Sequence, residues 1–314
     1  DIEEWQYGPL WVQHGSPNAM TGKQTPLVLG HETAGTVAEL GEGVDNVAVG
    51  VRVAINTVLT CGTCFWCMKG QQAVCPNMAV AGFMADGGLA EFMVWPADKL
   101  VPMPDSISDA EGPLLEPATV AVHGVRRSGV RPGDYVAVLG CGTVGLLTVQ
   151  AFKTAGARVI AIDVREQNLA LAKELGADET VISRDETAAA AELLELTGGI
   201  GPDIVVETAG AKETPRMAIE WTRRGGTTLL LGIYSTTPEI NFNNVVGPEI
   251  TVIGSVATSP GDLEVAVELV GNGSINVKPL ISEIVPLSRA MEDGFQRMLD
   301  PNKDIYRIVI QPGS

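Results

Sequence analysis

The chain has 314 residues, with 38 acidic and 21 basic side chains and a formal net charge of −17. Because this excess of acid leaves little to neutralise phosphates, the composition argues against a nucleic-acid partner. The sequence has no apolar run of about 18 residues, so no membrane span is predicted. No signal peptide is recognisable, and the protein is expected to be cytoplasmic.

The N-terminal part is predicted to form short β-strands. Between residues 27 and 58, small turn residues separate the apolar runs "PLVLGHETAGTVAEL" and "GVRVAIN". After a cysteine-containing loop the pattern resumes in "GLAEFMVWPADKLVPMP", with prolines at the strand margins. This part of the sequence therefore predicts an all-β region.

Four of the five cysteines lie in that loop, namely Cys61, Cys64, Cys67 and Cys75. The alternatives are disulfides, an iron–sulfur cluster, inert buried thiols or a structural zinc site. Cysteines three apart are awkward to join in disulfides. A ferredoxin-type run has three residues before its last cysteine, whereas seven stand here. Two overlapping Cys-x2-Cys knuckles and a fourth thiolate favour one tetrahedral structural zinc ion.

From about residue 112 the pattern changes to alternating strands and helices. Strands are predicted in "YVAVLG", "RVIAIDV", "ETVIS", "DIVVETAG", "TTLLLGIY" and "ITVIGSV". Helices are predicted in "GTVGLLTVQAFKTAGA", "REQNLALAKELG", "AAAAELLELTGG" and "PRMAIEWTRRGG". This alternation predicts an α/β fold with a doubly wound parallel sheet. The tail adds a helix in "DLEVAVELVGNG" and a final strand in "IYRIVIQ".

A glycine-rich turn joins the first of these strands to its helix. The turn carries a G-x-G-x-x-G pattern made by Gly140, Gly142, Thr143, Val144 and Gly145. Such glycines let backbone amides approach a pyrophosphate at a helix N-terminus. Asp163 ends the second strand, where a carboxylate accepts ribose hydroxyls and repels a 2′-phosphate. The pattern therefore predicts a dinucleotide site that prefers NAD to NADP.

Two nearby residues leave alternatives open. Arg165 follows Asp163 by two positions and keeps NADP in consideration. Cys141 lies inside the turn, either as a reactive thiol at a helix N-terminus or as a small filler, and the filler is favoured. A glycine turn retained for packing alone is disfavoured, because a strand, a helix and a correctly spaced acid surround it.

A second metal site is predicted from His31, Glu32 and Glu116. His31 and Glu32 stand in "GHE", and Glu116 stands in "LLEPATVAVHGV" just before the sheet region. A catalytic zinc ion takes about three protein ligands from Cys, His and carboxylate and keeps one open position. The other two histidines, His14 and His123, are interpreted as structural or surface residues.

Four motifs in this order resemble the zinc-dependent medium-chain dehydrogenase/reductase family. They are "LGHETAGTVAELGEGV", the cysteine loop, "LLEPATVAVH" and "GCGTVG" with its following Asp163. Within that family the sequence is most similar to the polyol, threonine and (R,R)-butanediol dehydrogenase branch. The segment "DIEEWQYGPLWV" resembles the N-terminal segment of the butanediol type.

The resemblance implies a GroES-like catalytic domain at residues 1–118 and 259–314 and a Rossmann NAD-binding domain at residues 119–258. It implies a structural zinc on the four loop cysteines. It implies a catalytic zinc on His31, with Glu32 as ligand or close neighbour and Glu116 beside the metal-bound water. Arg307 matches a basic position that reaches the cofactor pyrophosphate in relatives.

The implied reaction is hydride transfer between NAD and a secondary alcohol or a vicinal diol or polyol, with zinc as Lewis acid. The alternative is an NAD-binding protein or fragment that holds only the structural zinc. Asp1 matches the Asp of the family motif "CGSD". The family's cysteine ligand and hydroxyl relay residue are therefore expected before Asp1, outside this sequence, and Glu3 replaces a common His.

Three aromatic residues near the start, Trp5, Tyr7 and Trp11, either line the substrate pocket or pack the first strand and loop. The resemblance also implies a homodimer or homotetramer. The strand "ITVIGSV" is the candidate for pairing between subunits, because an unpaired edge invites a partner strand. The only other partner expected is a small alcohol or ketone.

Overall fold

The computed structural model describes residues 1–12, 15–300 and 304–313, so His14 lies outside the described residues. These residues divide into two compact units. The first takes its residues from Asp1–Thr119, Ala257–Gly273 and Val277–Ser314, and the second from Val120–Val256 and Ser274–Asn276. In the described part of the chain, no helix combines the length and apolarity needed to span a membrane. The predicted domain boundaries and the functions assigned to each domain stay predictions.

The described residues form thirteen strands and nine α-helices. The strands are β1 Ala34–Thr36, β2 Arg52–Ile55, β3 Val58–Leu59, β4 Ala79–Val80, β5 Leu100–Pro102, β6 Tyr135–Leu139, β7 Arg158–Asp163, β8 Glu179–Ile182, β9 Ile204–Glu207, β10 Thr227–Leu230, β11 Thr251–Gly254, β12 Ile281–Pro286 and β13 Arg307–Gln311. The helices are α1 Ile2–Tyr7, α2 Phe65–Met68, α3 Leu115–Ser128, α4 Thr143–Thr154, α5 Glu166–Glu174, α6 Glu186–Leu196, α7 Thr214–Trp221, α8 Asn243–Val246 and α9 Asp262–Gly271.

The second unit contains a six-stranded parallel sheet in the order β11-β10-β9-β6-β7-β8. The predicted doubly wound α/β fold is confirmed, with every predicted strand and helix of this region present. The order reverses between β6 and β9, which makes the crevice at their carboxyl ends the binding position of such sheets. The central strands β6, β7 and β9 are buried because helices cover them. The core of the unit includes Ala137, Leu139, Ile160, Ile162, Val181, Val205, Ala218 and Trp221.

The first unit contains three small sheets. Antiparallel strands form a sheet in the order β1-β2-β5, β3 pairs with β4, and β12 runs parallel to β13. The predicted strands around residues 27–40 and 86–102 are shorter than expected. Glycine-containing turns take the place of the missing strand residues. In these turns the N–H groups of Gly87 and Leu89 donate to the carbonyl oxygens of Val28 and Leu29 at 2.8 and 3.0 Å.

The N-terminal segment forms a short helix, an element that the sequence analysis did not predict. Helix α1 has two acidic residues in its first turn, Glu3 and Glu4, which suit the positive end of the helix dipole. The Glu4 carboxylate also accepts the backbone N–H groups of Leu10 and Trp11, the latter at 2.7 Å. This carboxylate fixes the chain that follows the helix.

Candidate functional site

A histidine and two carboxylates of the first unit converge as the sequence predicts. The ligand atoms of His31, Glu32 and Glu116 all lie within 4.8 Å of one another. One nitrogen and two carboxylate oxygens form a donor set that suits zinc. Burial raises the pKa of Glu116 to about 7, although the nearby His31 and Arg307 oppose this shift. We call these three residues the His31 cluster.

Tight glycine turns place the members of the His31 cluster. Gly30 has a φ of +105°, and an added Cβ there would lie 2.7 Å from the backbone nitrogen of Leu89. Glu116 lies in the first turn of α3. The turn before that helix contains Gly112, whose added Cβ would lie 2.5 Å from the Cβ of Ala34 in β1. Both approaches require glycine, because any side chain would push these segments apart.

Asp1 fixes the orientation of His31. Its Oδ2 atom lies 2.8 Å from His31 Nδ1, and its Oδ1 atom accepts the Gly30 N–H at 2.8 Å. A carboxylate on Nδ1 selects the tautomer in which Nε2 carries the lone pair for a metal. The sequence identified Asp1 as a motif residue but did not predict this contact.

Arg307 forms an ion pair with Glu32. Its Nη2 and Nε atoms donate to the two carboxylate oxygens at 2.9 and 3.1 Å, a bidentate pair. Burial acts to raise the pKa of Glu32, but the charges of Arg307 and His31 outweigh it and the pKa lies below its ordinary value. The predicted contact of Arg307 with a cofactor pyrophosphate stays a prediction.

Aromatic rings contact both His31 and the N-terminal helix. The ring of Phe83 lies 4.8 Å from that of His31 at a 38° tilt, a neighbour that the sequence did not single out. Trp5 packs edge-on against Phe295 at 5.6 Å. Tyr7 and Trp11 are exposed by 63% and 42%, so their role in a substrate pocket stays a prediction.

The four loop cysteines converge into a second cluster, the cysteine cluster. Their sulfur atoms lie 4.0 Å apart between Cys61 and Cys67, 3.9 Å between Cys64 and Cys75, and 3.6 Å between Cys75 and Cys61. These distances exceed a disulfide bond, and all four thiols are free. A zinc ion with bonds of about 2.3 Å to four sulfurs sets them about 3.8 Å apart. The cluster therefore fits one tetrahedral zinc ion.

The local chain explains the shape of the cysteine cluster. Gly62 and Gly70 adopt φ values of +70° and +72°, so the chain reverses on both sides of α2. Cys64 caps this helix, and its sulfur accepts the Cys67 N–H at 3.5 Å. The Thr63 and Cys64 N–H groups lower the pKa of Cys61 to about 6. That shift favours the thiolate, the form that binds metal.

The glycine turn of the second unit divides into crowded and open positions. A Cβ added to Gly145 would lie 1.8 Å from the Gly140 oxygen. A Cβ added to Gly140 would lie 2.8 Å from the Ala209 Cβ. At Gly142 it would meet nothing within 4 Å. Thr143 and Val144 begin α4 directly after Gly142. Only Gly142 therefore leaves room for a pyrophosphate to approach the backbone.

Alanine substitutions in this turn should separate packing from binding. We expect Gly145→Ala to lower the free energy of unfolding by about 2 kcal/mol, because the added methyl overlaps a backbone oxygen. Gly142→Ala should cost about 1 kcal/mol or less yet weaken NAD binding, because its methyl occupies the open side. Denaturant unfolding and NAD titration measure the two effects. Wild-type NAD affinity in Gly142→Ala would contradict the assignment of this face to the cofactor.

Asp163 lies at the end of β7, as predicted, and faces the glycine turn. Its carboxylate accepts the backbone N–H groups of Cys141 and Arg165 at 2.7 and 2.8 Å and the Asn168 side chain at 3.2 Å. Burial raises the pKa of the Cys141 thiol, and the charge of Asp163 adds to the shift. Cys141 is therefore a buried filler, as predicted, rather than a reactive thiol.

Two family models match successive parts of the chain. Residues 9–105 match the alcohol dehydrogenase GroES-like domain, and residues 143–272 match the zinc-binding dehydrogenase family. The chain is 32% identical to the (R,R)-butanediol dehydrogenase of Bacillus subtilis strain 168, over 99% of its own length and 88% of the relative's. The chain belongs to the zinc-dependent medium-chain alcohol dehydrogenase family.

Solved and curated relatives agree with this membership. The crystal structure of 2R,3R-butanediol dehydrogenase from Bacillus subtilis matches with a TM-score of 0.91 and 31% identity, over 99% of this chain and 88% of that one. A probable D-xylulose reductase A of Neosartorya fischeri is 36% identical over 95% of this chain and 82% of the relative. An alcohol dehydrogenase structure from Escherichia coli CFT073, complexed with NADH, matches with a TM-score of 0.81 and 27% identity over 90% and 82% of the two chains.

As a zinc-dependent medium-chain alcohol dehydrogenase, the chain is an oxidoreductase that uses zinc and a nicotinamide cofactor. The predicted combination of a GroES-like domain with a Rossmann sheet is confirmed.

Proposed function

We propose that the protein oxidises a vicinal diol, polyol or other secondary alcohol with NAD, and reduces the matching ketone in the reverse direction. The convergence of His31, Glu32 and Glu116 within 4.8 Å carries this proposal, because it provides a metal site apart from the four cysteines. The named substrates of the relatives, a butanediol and a xylulose, support an alcohol beside a second oxygen function.

Each residue of the His31 cluster has a distinct task in this reaction. A bound zinc ion supplies Lewis acidity that makes the substrate hydroxyl easier to deprotonate. His31 would hold that ion, and Asp1 keeps its imidazole in the tautomer that leaves Nε2 available to a metal. Glu32 binds the ion or stands next to it, held by Arg307. Glu116, whose carboxylate lies within 4.8 Å of the ligand atoms of His31 and Glu32, is assigned to accept the proton that leaves the substrate.

The cysteine cluster and the glycine turn support the reaction without taking part in its bond changes. The four thiolates hold a second zinc ion that stabilises residues 60–75. The glycine turn holds the pyrophosphate of NAD, and Asp163 binds the adenosine ribose. Arg165 lies two residues after Asp163 and is the N-cap residue of α5.

The preference for NAD over NADP should depend on the charge of Asp163. We expect Asp163→Asn to improve the ratio of NADP to NAD affinity roughly tenfold, because repulsion of the 2′-phosphate is lost. Titration of both cofactors measures this ratio. Glu174→Gln removes one exposed charge from the neighbouring helix and should leave the ratio unchanged. A wild-type protein that binds NADP as well as NAD would contradict the proposed role.

The protein is proposed to be a homodimer or homotetramer that pairs through β11. This strand is at the edge of the six-stranded sheet, and its exposed residues include Val252, at 40%. An unpaired parallel edge offers backbone groups to a second copy.

Formation of NADH tests the proposed function. The zinc-loaded protein is incubated with NAD and a panel that contains (2R,3R)-butanediol, meso-butanediol, xylitol and a primary alcohol. We expect NADH from at least one diol or polyol and a slower reaction with the primary alcohol. No NADH from any secondary alcohol, in protein that carries two zinc ions, would overturn the proposal.

A further inference from the structure

A buried carboxylate of the second unit has no part in the proposed reaction so far. Glu207 is the last residue of β9 and has no solvent-exposed surface. Burying a charge costs free energy unless hydrogen bonds compensate it. A fully buried acid beside the binding crevice of a parallel sheet therefore requires an explanation.

Uncharged groups surround this carboxylate. Its Oε1 atom accepts the N–H groups of Ala209 and Gly210 at 2.9 and 2.8 Å and the Thr214 hydroxyl at 2.7 Å. Its Oε2 atom lies 2.5 Å from the Tyr234 hydroxyl, within the range of a charge-assisted O–H···O⁻ bond. All of these hydrogen-bond donors are neutral groups. The hydrogen bonds therefore do not neutralise the negative charge of Glu207.

The glutamate also ties two loops together at the carboxyl edge of the sheet. Its backbone oxygen accepts the N–H groups of Leu231 and Gly232, at 2.9 and 3.1 Å. An added Cβ on Gly232 would lie 2.3 Å from Glu207 Oε2, so the loop after β10 passes directly over the carboxylate. The loop after β9 lies against the phosphate turn, where the Thr208 hydroxyl donates to the Gly140 oxygen at 2.6 Å.

The sheet topology assigns this carboxylate to one half of the cofactor. A doubly wound sheet consists of two mononucleotide-binding halves on either side of the strand-order reversal. Asp163 on β7 belongs to the half that takes the adenosine, and β9, β10 and β11 form the other half. Glu207 therefore stands at the edge that takes the nicotinamide, given the proposed function.

We propose that Glu207 sets the preference between the oxidised and the reduced cofactor. The nicotinamide ring of NAD⁺ carries a positive charge, whereas the ring of NADH is neutral. A buried negative charge favours the oxidised ring, since it acts through a medium of low dielectric constant. The hydrogen bonds from Ala209, Gly210 and Tyr234 fix the position of the carboxylate and stabilise its negative charge. Glu207 thereby favours binding of NAD⁺, the cofactor form required for alcohol oxidation.

Glu207→Gln is the direct test. Glutamine has the same shape and preserves the bonds, because its oxygen can face the two amides and its NH₂ group can donate to the Tyr234 hydroxyl. Dissociation constants of NADH and NAD⁺ are measured on the zinc-loaded protein by fluorescence titration and competition. We expect the ratio of the NADH constant to the NAD⁺ constant to fall roughly fivefold or more. Glu220→Gln, which removes an exposed charge from α7, should leave the ratio unchanged.

The possible results separate this inference from the proposed function. If Glu207→Gln weakens both cofactors equally, the residue is merely structural and the inference is overturned. If the wild-type protein binds neither cofactor, the proposed function fails and the inference fails with it. If Glu207→Gln does not fold, Tyr234→Phe decides. Loss of that hydrogen bond destabilises the charged form of the carboxylate and should lower the preference for NAD⁺ about twofold, and an unchanged or raised preference overturns the inference.

Discussion

His31→Ala should abolish alcohol oxidation almost completely. We expect kcat/KM to fall at least about a thousandfold, equivalent to about 4 kcal/mol of transition-state stabilisation. The reason is that His31 supplies the only nitrogen ligand of its cluster, and the two remaining carboxylates of Glu32 and Glu116 hold an ion poorly on their own. Steady-state oxidation of the best diol from the panel measures the effect. Asp1→Asn should lower the same constant less, about ten- to a hundredfold, since it acts only through His31.

A matched histidine substitution provides the control. His123 is buried in α3 and belongs to neither ligand cluster of the described residues. His123→Gln should therefore keep kcat/KM within a few-fold of wild type, provided the protein folds. Equal activity in His31→Ala and wild type would contradict the assignment of the catalytic metal to His31.

The Cys75→Ala variant should unfold at a much lower denaturant concentration than the wild-type protein. We expect the free energy of unfolding to fall by roughly 3 kcal/mol or more, because structural zinc binding contributes directly to folding free energy. Cys75 is only 5% exposed, and its sulfur lies 3.6 and 3.9 Å from those of Cys61 and Cys64. Its loss leaves three thiolates that cannot complete a closed tetrahedral site. Denaturant unfolding of zinc-loaded protein measures the change.

Cys141→Ala is the control for the loss of one thiol. This cysteine is equally buried but lies in the glycine turn, away from the loop cysteines along the chain. Its substitution should cost about 1 kcal/mol, the loss of one small buried group, and zinc content should not change. Equal destabilisation by Cys75→Ala and Cys141→Ala would show that the loop cysteines act as ordinary core residues instead.

The sequence predicted best those features that are encoded locally. The glycine turn, Asp163 and the cysteine spacing each lie within one segment, where residue type and spacing determine the backbone conformation. The strands of the parallel sheet were also predictable, because strands buried on both faces are continuous apolar runs. In the first unit, glycine turns cut the predicted strands short, since backbone bonds such as that from Gly87 to Val28 replace ladder pairing.

The sequence pattern could not predict contacts between segments that are distant along the chain. The bidentate pair of Arg307 and Glu32 joins residues 275 positions apart. Phe83 contacts His31 in the fold, although the cysteine loop separates the two residues along the chain. Glu207 gave no signal of its own, because an acid at the end of a strand is usually solvated. Such positions become visible only when tertiary packing shows which charges are buried and what compensates them.

Elemental analysis of zinc per chain shows whether both metal sites are filled, one on the His31 cluster and one on the cysteine cluster. We expect two equivalents in the wild-type protein, one of them lost in His31→Ala and the other in Cys75→Ala. A single equivalent in the wild-type protein that is unchanged in His31→Ala would contradict the proposed catalytic metal site.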